Sequence, residues 1–102
     1  MHVRIVRGRF NPATEGEVQR IISQQITPAL HRQPGFQRYL WGINRTTGQV
    51  SAMSFWDNEA HANLGSEILA RALDSLAALG VKLEPAEIYE VTVEDRAAQV
   101  GR

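Results

Sequence analysis

The sequence predicts an α+β fold of the split βαβ kind, an antiparallel four-stranded sheet with two helices on one face. Three observations point there. The order strand, helix, strand occurs twice, over residues 2 to 45 and again over 49 to 93. Pro34-Gly35 breaks the chain just before a run opened by Phe36, and Ser54-Phe55-Trp56-Asp57 closes another run where a second helical pattern begins. A chain of 102 residues suits one domain, able to remove about 65% of its unfolded surface from water. That domain is expected over residues 1–94, with the polar, alanine-rich residues 95–102 as a C-terminal tail.

Each element has a local reason. Residues 2 to 10 set Val3, Ile5, Val6 and Phe10 among arginines, a strand pattern ended by Asn11-Pro12, where proline holds its predecessor extended. Thr14-Glu15-Gly16-Glu17 has capping-box spacing, with the Thr14 hydroxyl offered to the Glu17 amide. Val18, Ile21, Ile22, Ile26, Ala29 and Leu30 then recur along one helical face, opposite Arg20, Gln24 and His31, so this helix covers a sheet. Pro28 removes the bond to the Gln24 carbonyl and bends the last turns. Residues 36 to 45 form a strand, Thr46-Thr47-Gly48 a tight hairpin, and residues 49 to 56 a returning strand. On that strand Val50, Ala52 and Trp56 share one face and Met53 and Phe55 the other. Asp57 or Asn58 caps a second helix, whose broad apolar side runs from Leu64 through Ile68, Leu69, Leu73 and Leu76 to Leu79 before Gly80 stops it. Residues 86 to 93 finish the sheet.

Composition excludes several functions. With no cysteine there is no disulfide framework, thiolate catalysis or Cys-based metal site, which suits a cytoplasmic location. No run approaches the roughly 20 apolar residues of a membrane span, so no membrane association is expected. Lysine plus arginine equals aspartate plus glutamate at 11 each, and the basic residues are scattered, so nothing recommends nucleic acid. His2, His31 and His61 share no metal-ligand spacing and the glycines form no phosphate loop, so neither metal nor nucleotide cofactor is expected. The strands carry apolar groups on both faces, and two helices cover only one. The other face is expected to bury itself against a second copy in a homodimer.

The order β-α-β-β-α-β, the Pro34-Gly35-Phe36 opening of the second strand, the passage Ser54-Phe55-Trp56-Asp57-Asn58-Glu59-Ala60 and the closing Ile88-Tyr89-Glu90-Val91 resemble the antibiotic biosynthesis monooxygenase type of ferredoxin-like, dimeric α+β barrel. The resemblance covers nearly the whole chain and is more specific for fold than for activity. It implies a ligand cavity between each sheet and its own helices, near the second helix. Within this superfamily it also implies cofactor-free oxygenases that deprotonate a phenol or quinol and let the electron-rich anion reduce dioxygen. Haem-degrading members would require a tryptophan on the second helix and a later histidine on the same helix; after His61 neither occurs here, so no haem is expected.

Such chemistry needs a base, a polar group for the anion and an aromatic-lined pocket. His61 is the candidate base, on the apolar side of the second helix in its first turn, where burial and the positive helix end favour the neutral form. The alternative is a histidine bonded to a backbone carbonyl at the core rim. Arg38, between Phe36 and Leu40, is the candidate anion holder, or else an interfacial ion-pair partner. Trp41, Trp56, Tyr39 and Tyr89 are candidate substrate-binding walls, or packing residues of core and dimer. Gln25, amid the apolar stripe of the first helix, would orient a ligand or bond to the sheet edge. Three readings stay open: a cofactor-independent monooxygenase acting on a small phenol- or quinol-like aromatic, a non-catalytic binder of small apolar ligands, and a purely structural dimer. The resemblance favours the first.

Overall fold

The structure, a computed structural model, describes residues 1–65 and 67–98; the last four residues of the expected tail, 99–102, lie outside the described residues. The elements are β1 (His2–Arg9), a 3₁₀ turn (Pro12–Thr14), α1 (Glu15–Ile21), a π turn (Ile22–Ile26), α2 (Thr27–His31), β2 (Phe36–Asn44), β3 (Gln49–Trp56), α3 (Glu59–Ala62), α4 (Ala70–Ala78), β4 (Lys82–Leu83) and β5 (Glu87–Glu90). Every strand pairing is antiparallel, in the order β2-β3-β1, with β4 and β5 sharing the far edge of β1.

Four local features depart from the sequence expectation. The first helix is not started by a Thr14 capping box: Asn11 Oδ1 caps the 3₁₀ turn through the Ala13 amide at 3.0 Å, and the Thr14 hydroxyl turns back to the Asn11 carbonyl at 2.7 Å. Ahead of Pro28 the helix widens into the π turn, the Thr27 amide donating to the Ile22 carbonyl, so the missing N–H is absorbed by a change of hydrogen-bond register. The second helix is two pieces. Asn58 Oδ1 caps α3 through the His61 amide at 2.8 Å, but α3 ends at Ala62, and α4 starts only at Ala70, beyond Gly65. The fourth strand begins early, at Lys82, and is interrupted around Pro85, whose missing N–H cannot serve a ladder.

Pairing of β1 with β3 runs from His2↔Trp56 to Arg9↔Gln49 and sorts side chains into two faces. Rungs Arg4–Ser54–Tyr39 and Val6–Ala52–Trp41 face the helices, with Ile88 extending the first onto β5. Rungs Tyr89–Val3–Phe55–Arg38 and Glu87–Ile5–Met53–Leu40 face away. Beneath the helices, Trp56, Leu30, Leu76 and Val18 are fully buried, and the Trp56 indole N–H donates to Ser54 Oγ at 2.8 Å. Phe36 packs edge-on against Trp56 with ring centroids 5.4 Å apart.

Glycine marks the turn into β2. Gly35 has φ +79°, and a Cβ there would collide with the Asp57 carboxylate and the His61 imidazole, while the Asp57 amide donates to its carbonyl at 3.0 Å. Gly16, inside α1, has open space around its Cα. The same substitution is therefore expected to act in opposite senses. Gly35→Ala should destabilise by about 1–3 kcal/mol through strain and displacement, and Gly16→Ala should stabilise by about 0.5–1 kcal/mol through helix propensity. Urea unfolding of both variants checks this, and equal signs would contradict it.

Candidate functional site

A cavity of about 540 Å³ lies between the sheet and the helices. Its floor is the two inward rungs of β1, β3 and β2. Its roof comes from Ile26 of the π turn, Leu30 of α2, and Leu69, Leu73 and Leu76 at and within α4; Leu83 and Pro85 close one end. The volume falls in the range that encloses a small organic ligand. The break between α3 and α4 has a consequence here. Leu73 stays 39% exposed although α4 is amphipathic, so the roof is not packed shut from above.

The structure separates the residues that the sequence put forward. Tyr39 and Trp41 line the cavity. Burial pushes the Tyr39 phenol above its ordinary range, and Trp41 Nε1 is buried without a hydrogen-bond partner among the described residues. Trp56 is not a cavity wall; it sits in the core with its N–H satisfied by Ser54. Gln25 lies on the π turn outside the cavity lining, its Oε1 buried and unpartnered among the described residues.

Arg38 and Tyr89 are on the opposite face. The expected shared face of Phe36, Arg38 and Leu40 fails because β2 carries a bulge: Phe36 pairs with Trp56, but Arg38 pairs with Phe55, so Gln37 is the extra residue and everything after it changes sides. Arg38 lies over the Phe55 ring, 5.3 Å from its centroid. The Tyr89 hydroxyl donates to Glu87 at 2.8 Å, and Glu87 also pairs with Arg7.

His61 is half-buried, and it also lies outside the cavity lining. Its partner is a carboxylate: Nδ1 is 2.7 Å from Asp57 Oδ1, one helical turn back, beside Gly35. In the tautomer whose Nδ1–H donates to Asp57, Nε2 is the free acceptor nitrogen, an arrangement seen when a histidine is oriented as a base.

The polar cavity residues Arg4, Ser54 and Glu84 were not singled out from the sequence. Arg4 projects from the middle of β1 into the cavity, half-buried, and burial lowers its guanidinium from the ordinary value. The available signal was alternation. If Val6 faces the helices, so does Arg4, two residues earlier.

No family model matches the sequence, and neither does any curated protein. Solved structures do match in shape. A Deinococcus radiodurans structure described as an antibiotic biosynthesis monooxygenase superposes with a TM-score of 0.75 at 19% identity, covering 97% of this chain and 100% of that one. SnoaB, a cofactor-independent oxygenase from Streptomyces nogalater, gives 0.69 at 18%, over 91% and 95%. The monooxygenase of the ActVA-Orf6 gene of Streptomyces coelicolor, in complex with nanaomycin D, gives 0.69 at 16%, over 97% and 92%. The fold is thus the ferredoxin-like α+β fold of the antibiotic biosynthesis monooxygenase structures.

The ring hydrogen bond of His61 holds the Asp57 carboxyl below its ordinary value. A carboxyl depressed in the folded state contributes stability above its unfolded pKa and loses it as pH falls through the folded value. The difference in Tm between the native protein and Asp57→Asn is therefore expected to be fullest near neutrality and to close as buffers pass below the usual carboxylate range. Thermal melts across pH check this; a gap that does not vary with pH would show that ionised Asp57 contributes nothing.

Proposed function

We propose that this chain is a cofactor-independent monooxygenase acting on a small phenol- or quinol-like aromatic held between sheet and helices, and that it works as a homodimer. The observation that carries the reading is the cavity itself, apolar on its roof, flanked by Tyr39 and Trp41, and large enough for fused rings. Structures of similar fold include a cofactor-independent oxygenase and a monooxygenase complexed with nanaomycin D. In the reaction the substrate supplies all the electrons. A ring C–H para to the phenolate oxygen becomes C=O as the phenolate oxygen becomes the second carbonyl of a quinone, the ring losing four electrons to dioxygen; one oxygen atom ends in the new carbonyl and the other in water. The protein's part is to bind the ring, exclude bulk water and favour the anion.

The outward face supports the dimer. Val3, Ile5, Met53, Phe55 and Leu40 make it apolar across three strands, and Leu40 and Tyr89 are 39% and 45% exposed in the single chain. Arg38 and the Arg7–Glu87 pair sit among them as polar groups able to fix the register of a partner.

Two measurements test this. Oxygen uptake with a panel of phenols and hydroquinones should exceed the protein-free rate for at least one compound that also raises Tm; compounds that raise Tm without uptake would make the protein a binder rather than an enzyme. Light scattering should give the mass of two chains for the native protein and one chain for Phe55→Glu, which sets a charge in the outward face. A native monomer would refute the dimer.

A further inference from the structure

One rung of the cavity floor is polar. Arg4 on β1 is paired with Ser54 on β3, and Ser54 with Tyr39 on β2, and all three line the cavity. Side chains opposite one another on adjacent strands stand about 5 Å apart, so the three present their heads to one patch. The next rung sets the Trp41 ring beside them.

Each polar group of the rung is free to donate. Guanidinium N–H groups donate only. The Ser54 oxygen already accepts from Trp56, which leaves its own proton for the cavity. The Tyr39 hydroxyl has no hydrogen-bond partner among the described residues, and desolvation keeps it protonated. Acceptors are scarce. Glu84 is the carboxylate in the lining, it is exposed, and no carboxylate among the described residues pairs with Arg4. Arginine stays charged under such burial, so the cavity holds a cation that no carboxylate among the described residues pairs directly. A cation drawn half out of water into leucine-rich surroundings costs stability unless an anion joins it.

We infer that the Arg4–Ser54–Tyr39 rung is an anion-recognition subsite, and that the ligand is an aromatic monoanion, carboxylate or phenolate, with its ring against Trp41 and its ionised oxygen at Arg4. This rests on the cavity being the ligand site, and adds to that reading the charge and the orientation of what binds. It also gives the oxidisable phenol a reason to ionise inside the protein, because a cation beside the oxygen favours the anion.

Calorimetric titration with a matched pair of probes, 1-naphthoate and the neutral 1-naphthamide, tests it. The native protein is expected to bind the carboxylate about 10- to 100-fold more tightly than the amide, as a charge-assisted hydrogen bond implies. Arg4→Met, which keeps the aliphatic stem, should remove that preference while leaving amide affinity unchanged. Arg4→Lys should restore part of it, and Arg38→Met on the outward face should alter neither probe. Without ligand, Arg4→Met should raise Tm, since it removes the unpaired cation; a lowered Tm would mean that Arg4 is held by the protein itself and would overturn the inference. Equal affinity for the two probes, or a preference that survives Arg4→Met, would overturn it while leaving the cavity as the ligand site. If neither probe binds, the cavity reading fails and this inference fails with it.

Discussion

The register of β1 against β3 decides which side chains meet the helices and which meet the outside. Side chains alternate along a strand, so a slip of β1 by one residue against β3 would send Arg4 and Val6 outward and bring Val3 and Ile5 under the helices. Trp56 fixes which face of β3 meets the helices. It is fully buried, its N–H donates to Ser54 two residues back on the same face, and Phe36 closes on its ring. Turning that face outward would expose the indole. Against it, β1 takes the register that sets Val6 beside Ala52.

From that register the molecule acquires two apolar faces with separate work. The helix-facing side is not fully filled: α4 is displaced by the break after Ala62, and the space left above Val6, Ala52 and Trp41 is the cavity. The outward side is apolar and edged by Arg38 and the Arg7–Glu87–Tyr89 cluster. Arg4 belongs to neither a core nor a surface. A half-buried cation without a protein counter-ion is a stability cost of the kind found at functional sites, where local rules are broken for the sake of a ligand.

Much of this was legible in the chain. The elements from β1 to β3 follow from alternation, the Asn11-Pro12 stop and the Pro34-Gly35 turn, and the division of β3 into Val50, Ala52 and Trp56 against Met53 and Phe55 is seen in the structure. The α3–α4 break was hidden because Leu64, Ile68 and Leu69 keep a helical spacing across it. The bulge at Gln37 was hidden for a different reason. No glycine or proline marks it, so alternation carried Arg38 to the face of Phe36, whereas pairing carries it to the face of Phe55. Arg4 escaped notice because in a strand with one wet face an arginine between Val3 and Ile5 reads as solvent-facing. Here both faces are apolar, and the period alone does not say which one holds the cavity.

The proposed ligand site is the helix-facing side of the sheet, with Arg4 in its floor. The most direct measurement is a crystal structure of the protein soaked with a small aromatic carboxylate. The ring is expected between α4 and Trp41, with a carboxylate oxygen about 2.7–3.0 Å from the Arg4 guanidinium. An aromatic found on the outward face, or a cavity refilled by Leu73 and Leu76 in every crystal, would contradict it.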